Sequence, residues 1–121
     1  MALHTELEIY KTTRDLLRVI TKAVANMRGD FKRDLGGELR RECVRATVLI
    51  FRTNTARDSK RRYRYLMRLL ERMEVVKLLL RSGHDMGSSV ITDKAHAAAI
   101  PLVESIEKQA NAWKKLYAPV L

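Results

Sequence analysis

Long stretches free of glycine and proline constrain this chain most. Glycine occurs only at positions 29, 36, 37, 83 and 87, and proline only at 101 and 119. Between those points apolar residues return every three or four positions, and no stretch alternates with period two. That pattern argues against strands and predicts an all-α protein. The breakers and capping residues divide the chain into four helices: about Thr5 to Asn26, Arg33 to Thr55, Asp58 or Ser59 to Ser82-Gly83, and Thr92 or Asp93 to Leu116. Gly29-Asp30 is expected to end the first helix, and Asp58, Ser59, Thr92 and Asp93 are natural N-caps. The segment His84 to Val90 reads as the longest and most mobile connection. Pro101 falls inside the fourth helix, where a missing N–H is expected to kink it. Rods of about 22 residues are roughly 33 Å long. Short connections make neighbours antiparallel, so the expected architecture is an antiparallel up-down-up-down four-helix bundle, one domain over residues 1–121.

Each helix carries a core stripe. On the first it is Tyr10, Leu17, Ile20, Val24 and Met27, with Thr13 keeping the spacing. On the second it is Leu35, Leu39, Cys43, Ala46 and Ile50, and on the third Leu66, Leu70, Met73, Val76 and Leu80. On the fourth it is Ala95, Ala99, Leu102, Ile106, Ala110 and Trp113. A length of 121 residues is enough for one such core without staples. The lone Cys43 excludes an intramolecular disulfide and fits a reducing compartment. No apolar run is long enough to span a bilayer. The start, Met-Ala-Leu-His-Thr-Glu-Leu-Glu, lacks the features of a signal peptide, so the cytoplasm is the expected location.

Apolar surface is left over once the stripes are assigned. Val44, Val48 and Phe51 lie far around the second helix from Leu39, Cys43 and Ile50. Val75, Leu78 and Leu79 make the end of the third helix apolar nearly all round. Large exposed apolar patches are uncommon on monomers, so these residues are candidates for an interface between copies of the chain.

Positive charge is concentrated in the same two helices. Residues 31–57 hold seven basic and three acidic side chains, and residues 58–82 hold eight and three. The first thirty residues hold five and four, and the last thirty-nine hold four and four. Arg61, Arg64, Arg68 and Arg72 fall within an arc of about 80° on the third helix, opposite its expected stripe. Arg41, Arg45 and Arg52 form a line on the second helix, and Lys11, Arg14, Arg18 and Lys22 a line on the first. A solvated helix face usually interleaves acids with bases, but Glu71 and Glu74 are the only acids within the third helix. The expected partner is a polyanion, read by shape and charge. Tyr65, beside the arginine line, either stacks on an unpaired base or is a boundary tyrosine; Tyr63 is structural. Arginine forks also suit carboxylates, which keeps an acidic protein surface open as a partner.

Chemistry for catalysis is not apparent. No Glu is followed by His three residues later, so a di-iron site has no ligands, and there is no Gly-rich phosphate loop. His4, His84 and His96 lie near the start, in a loop and on the outer side of the fourth helix, without metal-ligand spacing. Cys43 on the core stripe reads as a buried thiol, and Glu42 and Glu74 as partners for arginines of adjacent helices. No cofactor and no small-molecule substrate are expected.

The stretch Arg33-Asp34-Leu35-Gly36-Gly37-Glu38-Leu39-Arg40-Arg41-Glu42-Cys43-Val44-Arg45, with Leu49-Ile50-Phe51-Arg52-Thr53-Asn54 after it, resembles a bacterial four-helix-bundle family. This is the family that includes the accessory variability determinant (Avd) proteins of diversity-generating retroelements. Ile91-Thr92-Asp93-Lys94, Ser105-Ile106-Glu107-Lys108-Gln109 and Trp113-Lys114-Lys115 extend the resemblance, which covers about Tyr10 to Lys115. A sister branch is encoded in intervening sequences of large-subunit ribosomal RNA genes. It carries a Ser-Ile-Pro-Ser-Asn-Ile-Ala-Glu-like segment where this chain has Phe51-Arg52-Thr53-Asn54-Thr55-Ala56, which favours the Avd side. The resemblance implies a homopentamer of basic bundles. It also implies a complex with the element's reverse transcriptase and template RNA during mutagenic retrohoming. It supplies no catalytic residue. The alternatives are an intervening-sequence-type protein, an assembly module without nucleic-acid affinity, and an enzyme whose site is built across protomers.

Overall fold

The computed structural model describes Leu3 and residues 6–119. His4, and the expected first-helix start at Thr5, lie outside the described residues. The described chain is all-helical, with no strand. Helix α1 spans Glu8–Ala25. A short α2, Gly29–Phe31, runs through a π turn, Lys32–Gly36, into α3, Gly37–Thr55. Helix α4 spans Ser59–Asp85 and α5 spans Asp93–Lys114, followed by a 3-10 turn, Lys115–Tyr117. Because α2, the π turn and α3 form one continuous run, the chain makes four long rods, as expected of a helical bundle.

Two boundaries differ from those the sequence predicts. Helix α1 ends at Ala25 with Asn26 as its C-cap, next to the expected end, but Gly29-Asp30 opens the following helix, four residues before the expected start at Arg33, with extended Arg28 as its N-cap. Arg28 donates to Asp30 at 3.0 Å and lies 4.9 Å over the Phe31 ring, which fixes that corner. Gly83 does not end α4. It is buried inside the helix, where a Cβ would stand 2.5 Å from Ile91 Cδ1 and 2.8 Å from Leu35 Cδ2. Glycine is used there for close approach. The chain reverses instead at Gly87, whose φ of 113° favours glycine.

The connection after α4 is also better held than its composition suggests. Val90 and Ile91 are buried in the core, their N–H groups donate to the Gly87 carbonyl, and the Arg28 N–H donates to Ser89 O at 3.1 Å. The caps fall as expected: Asp58 accepts from the Lys60 N–H, and Thr92 from the Ala95 N–H. Pro101 remains inside α5, exposed, and Ala97, whose carbonyl loses a helix bond there, is exposed too.

Each rod packs against two others: α1 on α3 and α5, and α4 on α3 and α5. Along α3 and α4, Leu35 meets Gly83 and Glu42 meets Arg72, so rising numbers meet falling ones. The same opposition holds for α4 and α5, where His84 meets His96, Lys77 meets Glu107 and Met67 meets Lys114. The core contains the anticipated Ile20, Leu39, Cys43, Ala46, Ile50, Leu66, Met73, Val76, Leu80 and Ile106. Four stripe positions are off by one residue. Ile9, Leu16, Leu69 and Val103 are buried, while their neighbours Tyr10, Leu17, Leu70 and Leu102 are half-buried. Every such pair is two adjacent apolar residues, which periodicity alone cannot separate.

Candidate nucleic-acid and assembly surface

The α3–α4 face brings both sequence-derived signals together. Along α3, Val44 is 53% exposed, Val48 40% and Phe51 45%. The core stripe of that helix takes Leu39, Cys43, Ala46 and Ile50 inward, so these three are left on the outer flank. Val44, Val48 and Leu49 line a groove of about 510 Å³ together with Arg45, Arg52, Arg68, Glu71 and Arg72. Part of the arginine set and part of the apolar stripe thus share one groove, with guanidinium groups from two helices beside Val44 and Val48.

Leu79 does not belong to the spare apolar surface: it is half-buried and packs against the core. Val75 is half-buried as well, and Leu78, 64% exposed, is the outward residue of that run. The burial of Leu69 turns the inward face of α4 toward the arginine arc. The arc thus flanks the core stripe and does not oppose it, and Arg72 at its edge reaches α3.

The arginines divide by what they touch. Arg41 donates to Glu38 at 2.8 Å. Arg45 reaches Glu38 at 3.3 Å and Glu42 at 2.8 Å, and Arg72 reaches the same Glu42 Oε1 at 3.1 Å. Glu42 is buried, and its Oε2 has no hydrogen-bond partner among the described residues. Arg72 reaches that carboxylate from α4 and ties the two helices together, while Arg45 pairs with it from within α3, so both are committed to structure as well as to the groove. Glu38 is held below the usual carboxylate range, chiefly by the Arg41 hydrogen bond. Glu74 pairs with Lys77 and not with an arginine, and Lys77 also bridges to Glu107 on α5, each at 2.9 Å. Arg52, Arg61, Arg64 and Arg68 are exposed, and no acid lies within ion-pair distance of them among the described residues. Among the arginines expected to bind, these four are the ones without an ion pair in the described residues.

The α1 line is set apart. Arg14 and Arg18 are exposed and share Asp15, at 3.9 and 3.7 Å. Lys22 lines a different cavity of about 350 Å³ between α1 and α5, with Val19, Val90, Lys94 and Ala98. Neither cavity lining includes residues of the other.

Tyr65 is half-buried and packs against the core, and it also lines a recess at the α3–α4 turn. Tyr63 is half-buried with the Lys114 ammonium 5.8 Å from its ring centre. Arg57, in the short connection between α3 and α4, lines the Tyr65 recess; sequence reading passed over it because it lies on no helical stripe.

The remaining reactive groups have other neighbours. Cys43 is buried, and burial pushes its thiol up to about 12. His84 lies in the last turn of α4 and not in a loop. His96 is half-buried and not outward, and the two rings stack 4.5 Å apart while His84 Nε2 stands 2.6 Å from Asp93 Oδ1. No group of three or more His, Cys, Asp or Glu side chains able to hold a metal occurs among the described residues. No helix among them is long and apolar enough to cross a membrane. Comparison with family models, with curated proteins and with solved structures gives no match to this chain.

Proposed function

We propose that the chain is a non-enzymatic, self-associating basic bundle of the up-down-up-down kind that binds nucleic acid. Four exposed guanidinium groups of α3 and α4 without an ion pair among the described residues, Arg52, Arg61, Arg64 and Arg68, carry this reading. Exposed arginines without acid partners gain most from phosphates, because each contact releases a condensed counterion. The apolar floor at Val44 and Val48 favours a protein contact in the same place. Copies of the chain meet there, and the arginines lie at the seam.

The sequence resemblance gives the reading its biological form. The protein acts in the cytoplasm as an accessory factor of a diversity-generating retroelement. It holds template RNA near the element's reverse transcriptase and supports mutagenic reverse transcription. The number five for the assembly rests on that resemblance alone. A ring of copies multiplies weak phosphate contacts through effective concentration.

Salt titration of binding to single-stranded RNA tests the core of the proposal. With about five phosphates neutralised on a single strand, log K falls against log salt with a slope of about −3.5. No RNA binding at low salt would leave an assembly module as the better description.

A further inference from the structure

The recess at the α3–α4 turn has the chemistry of a nucleotide site. It measures about 470 Å³ and is lined by Arg52, Thr55, Arg57, Asp58, Arg61 and Tyr65, among others. That size falls within the range of small-ligand pockets. Three guanidinium groups face one carboxylate. That carboxylate is already engaged, because Asp58 caps α4 by accepting from the Lys60 N–H at 3.0 Å. Arg52, Arg57 and Arg61 form no ion pair among the described residues, unlike Arg41, Arg45 and Arg72.

The turn beneath them is braced. Arg62 donates from Nε to the Ala56 carbonyl at 2.6 Å and from Nη1 to the Tyr117 hydroxyl at 2.9 Å. The Ala56 N–H donates back to Arg52 O at 2.9 Å. The segment that carries Arg57 is thus fixed before any ligand arrives. Tyr65 is fixed too, because one side of it packs on the core.

We propose that this recess holds one unpaired nucleotide of a single strand. The guanidinium groups of Arg52, Arg57 and Arg61 take its phosphates, and the Tyr65 ring lies against its base. The inference rests on the nucleic-acid reading above and adds a strand preference to it. A base within a blunt duplex is stacked on its neighbours and unavailable to Tyr65, whereas a single strand offers its π-faces freely.

Anisotropy with a labelled twelve-nucleotide RNA and with a blunt duplex of the same sequence tests the idea. The native chain should bind the single strand roughly tenfold more tightly than the duplex. Tyr65→Leu should remove most of that difference, and Tyr65→Phe should keep it. Arg57→Ala, at an exposed position outside the helices, should weaken single-strand binding severalfold and reduce its salt slope by about one. Equal affinity for the two forms, or Tyr65→Leu and Arg57→Ala both binding the single strand like the native chain, overturns the nucleotide site while leaving polyanion binding intact. Displacement of the RNA by a polyglutamate peptide at equal charge concentration also overturns it, in favour of an acidic protein segment. Failure of the native chain to bind either RNA defeats the nucleic-acid reading itself.

Discussion

Arg72 on α4 and Glu42 on α3 are joined across the helix interface, with Nη1 3.1 Å from Oε1 of a carboxylate that is only 2% exposed. Charge taken out of water needs partners, and removing one leaves a penalty. Arg45 would still reach Oε1 at 2.8 Å, so the cost of Arg72→Ala should be about 2–3 kcal/mol, below the about 3–5 kcal/mol of a buried charge left without any partner. Arg68→Ala, at an exposed site without an ion pair among the described residues, should change stability by less than about 0.5 kcal/mol. Urea unfolding midpoints decide this; equal stability of the two variants would show the Glu42 contact to be unimportant.

Gly83 and Gly29 should respond oppositely to alanine. A Cβ at Gly83 meets Ile91 Cδ1 at 2.5 Å and Leu35 Cδ2 at 2.8 Å, whereas at Gly29 nothing lies within 4 Å. Overpacking costs about 1–3 kcal/mol and outweighs the helix-propensity gain of up to about 1 kcal/mol. Gly83→Ala should therefore lower the melting temperature, and Ile91→Val in the same chain should restore part of the loss. Gly29→Ala should leave it unchanged or raise it. A stabilised Gly83→Ala protein would contradict the close packing described for α4.

Reversing charge at Arg64 and Arg68 should separate binding from folding. Neither side chain has an ion pair among the described residues, so Arg64→Glu with Arg68→Glu should leave the circular dichroism spectrum unchanged. Affinity for RNA should fall at least about tenfold, and the salt slope should flatten by about two. Native affinity in the double variant would make these arginines bystanders.

Val48, 40% exposed on the α3 flank, reports on assembly. Val48→Asp puts a charge in the middle of the proposed seam and should yield smaller particles by light scattering, with helicity kept. An unchanged mass would place any interface elsewhere.

The Cys43 thiol should behave as a packing group. With its titration raised from 9.0 to about 12 by burial, the folded chain keeps the proton at pH values where the unfolded chain has lost it. The unfolded state then binds fewer protons, so this group destabilises the fold as pH rises above 9. By pH 10.5 the effect is roughly 2 kcal/mol. The stability advantage of the native chain over Cys43→Ala should shrink by that order between pH 8 and 10.5. Labelling with a thiol reagent at pH 8 should proceed only as fast as unfolding; immediate reaction would mean the site is open.

The sequence by itself determined the helical class, the capping residues Asp58 and Thr92, and the excess of arginine on two helices. These are properties of spacing and composition, and they survive any packing. Tertiary structure decided which member of each apolar pair turned inward: Ile9 over Tyr10, Leu16 over Leu17, Leu69 over Leu70 and Val103 over Leu102. Neighbouring residues lie about 100° apart on a helix, so both sit near the edge of a stripe and only the facing helices choose between them. The same rotation of α4 committed Arg72 to Glu42 and left Arg61, Arg64 and Arg68 without ion pairs among the described residues. Burial also turned Gly83 from an expected stop into a contact point, because Ile91, eight residues later in the chain, returns to pack against it.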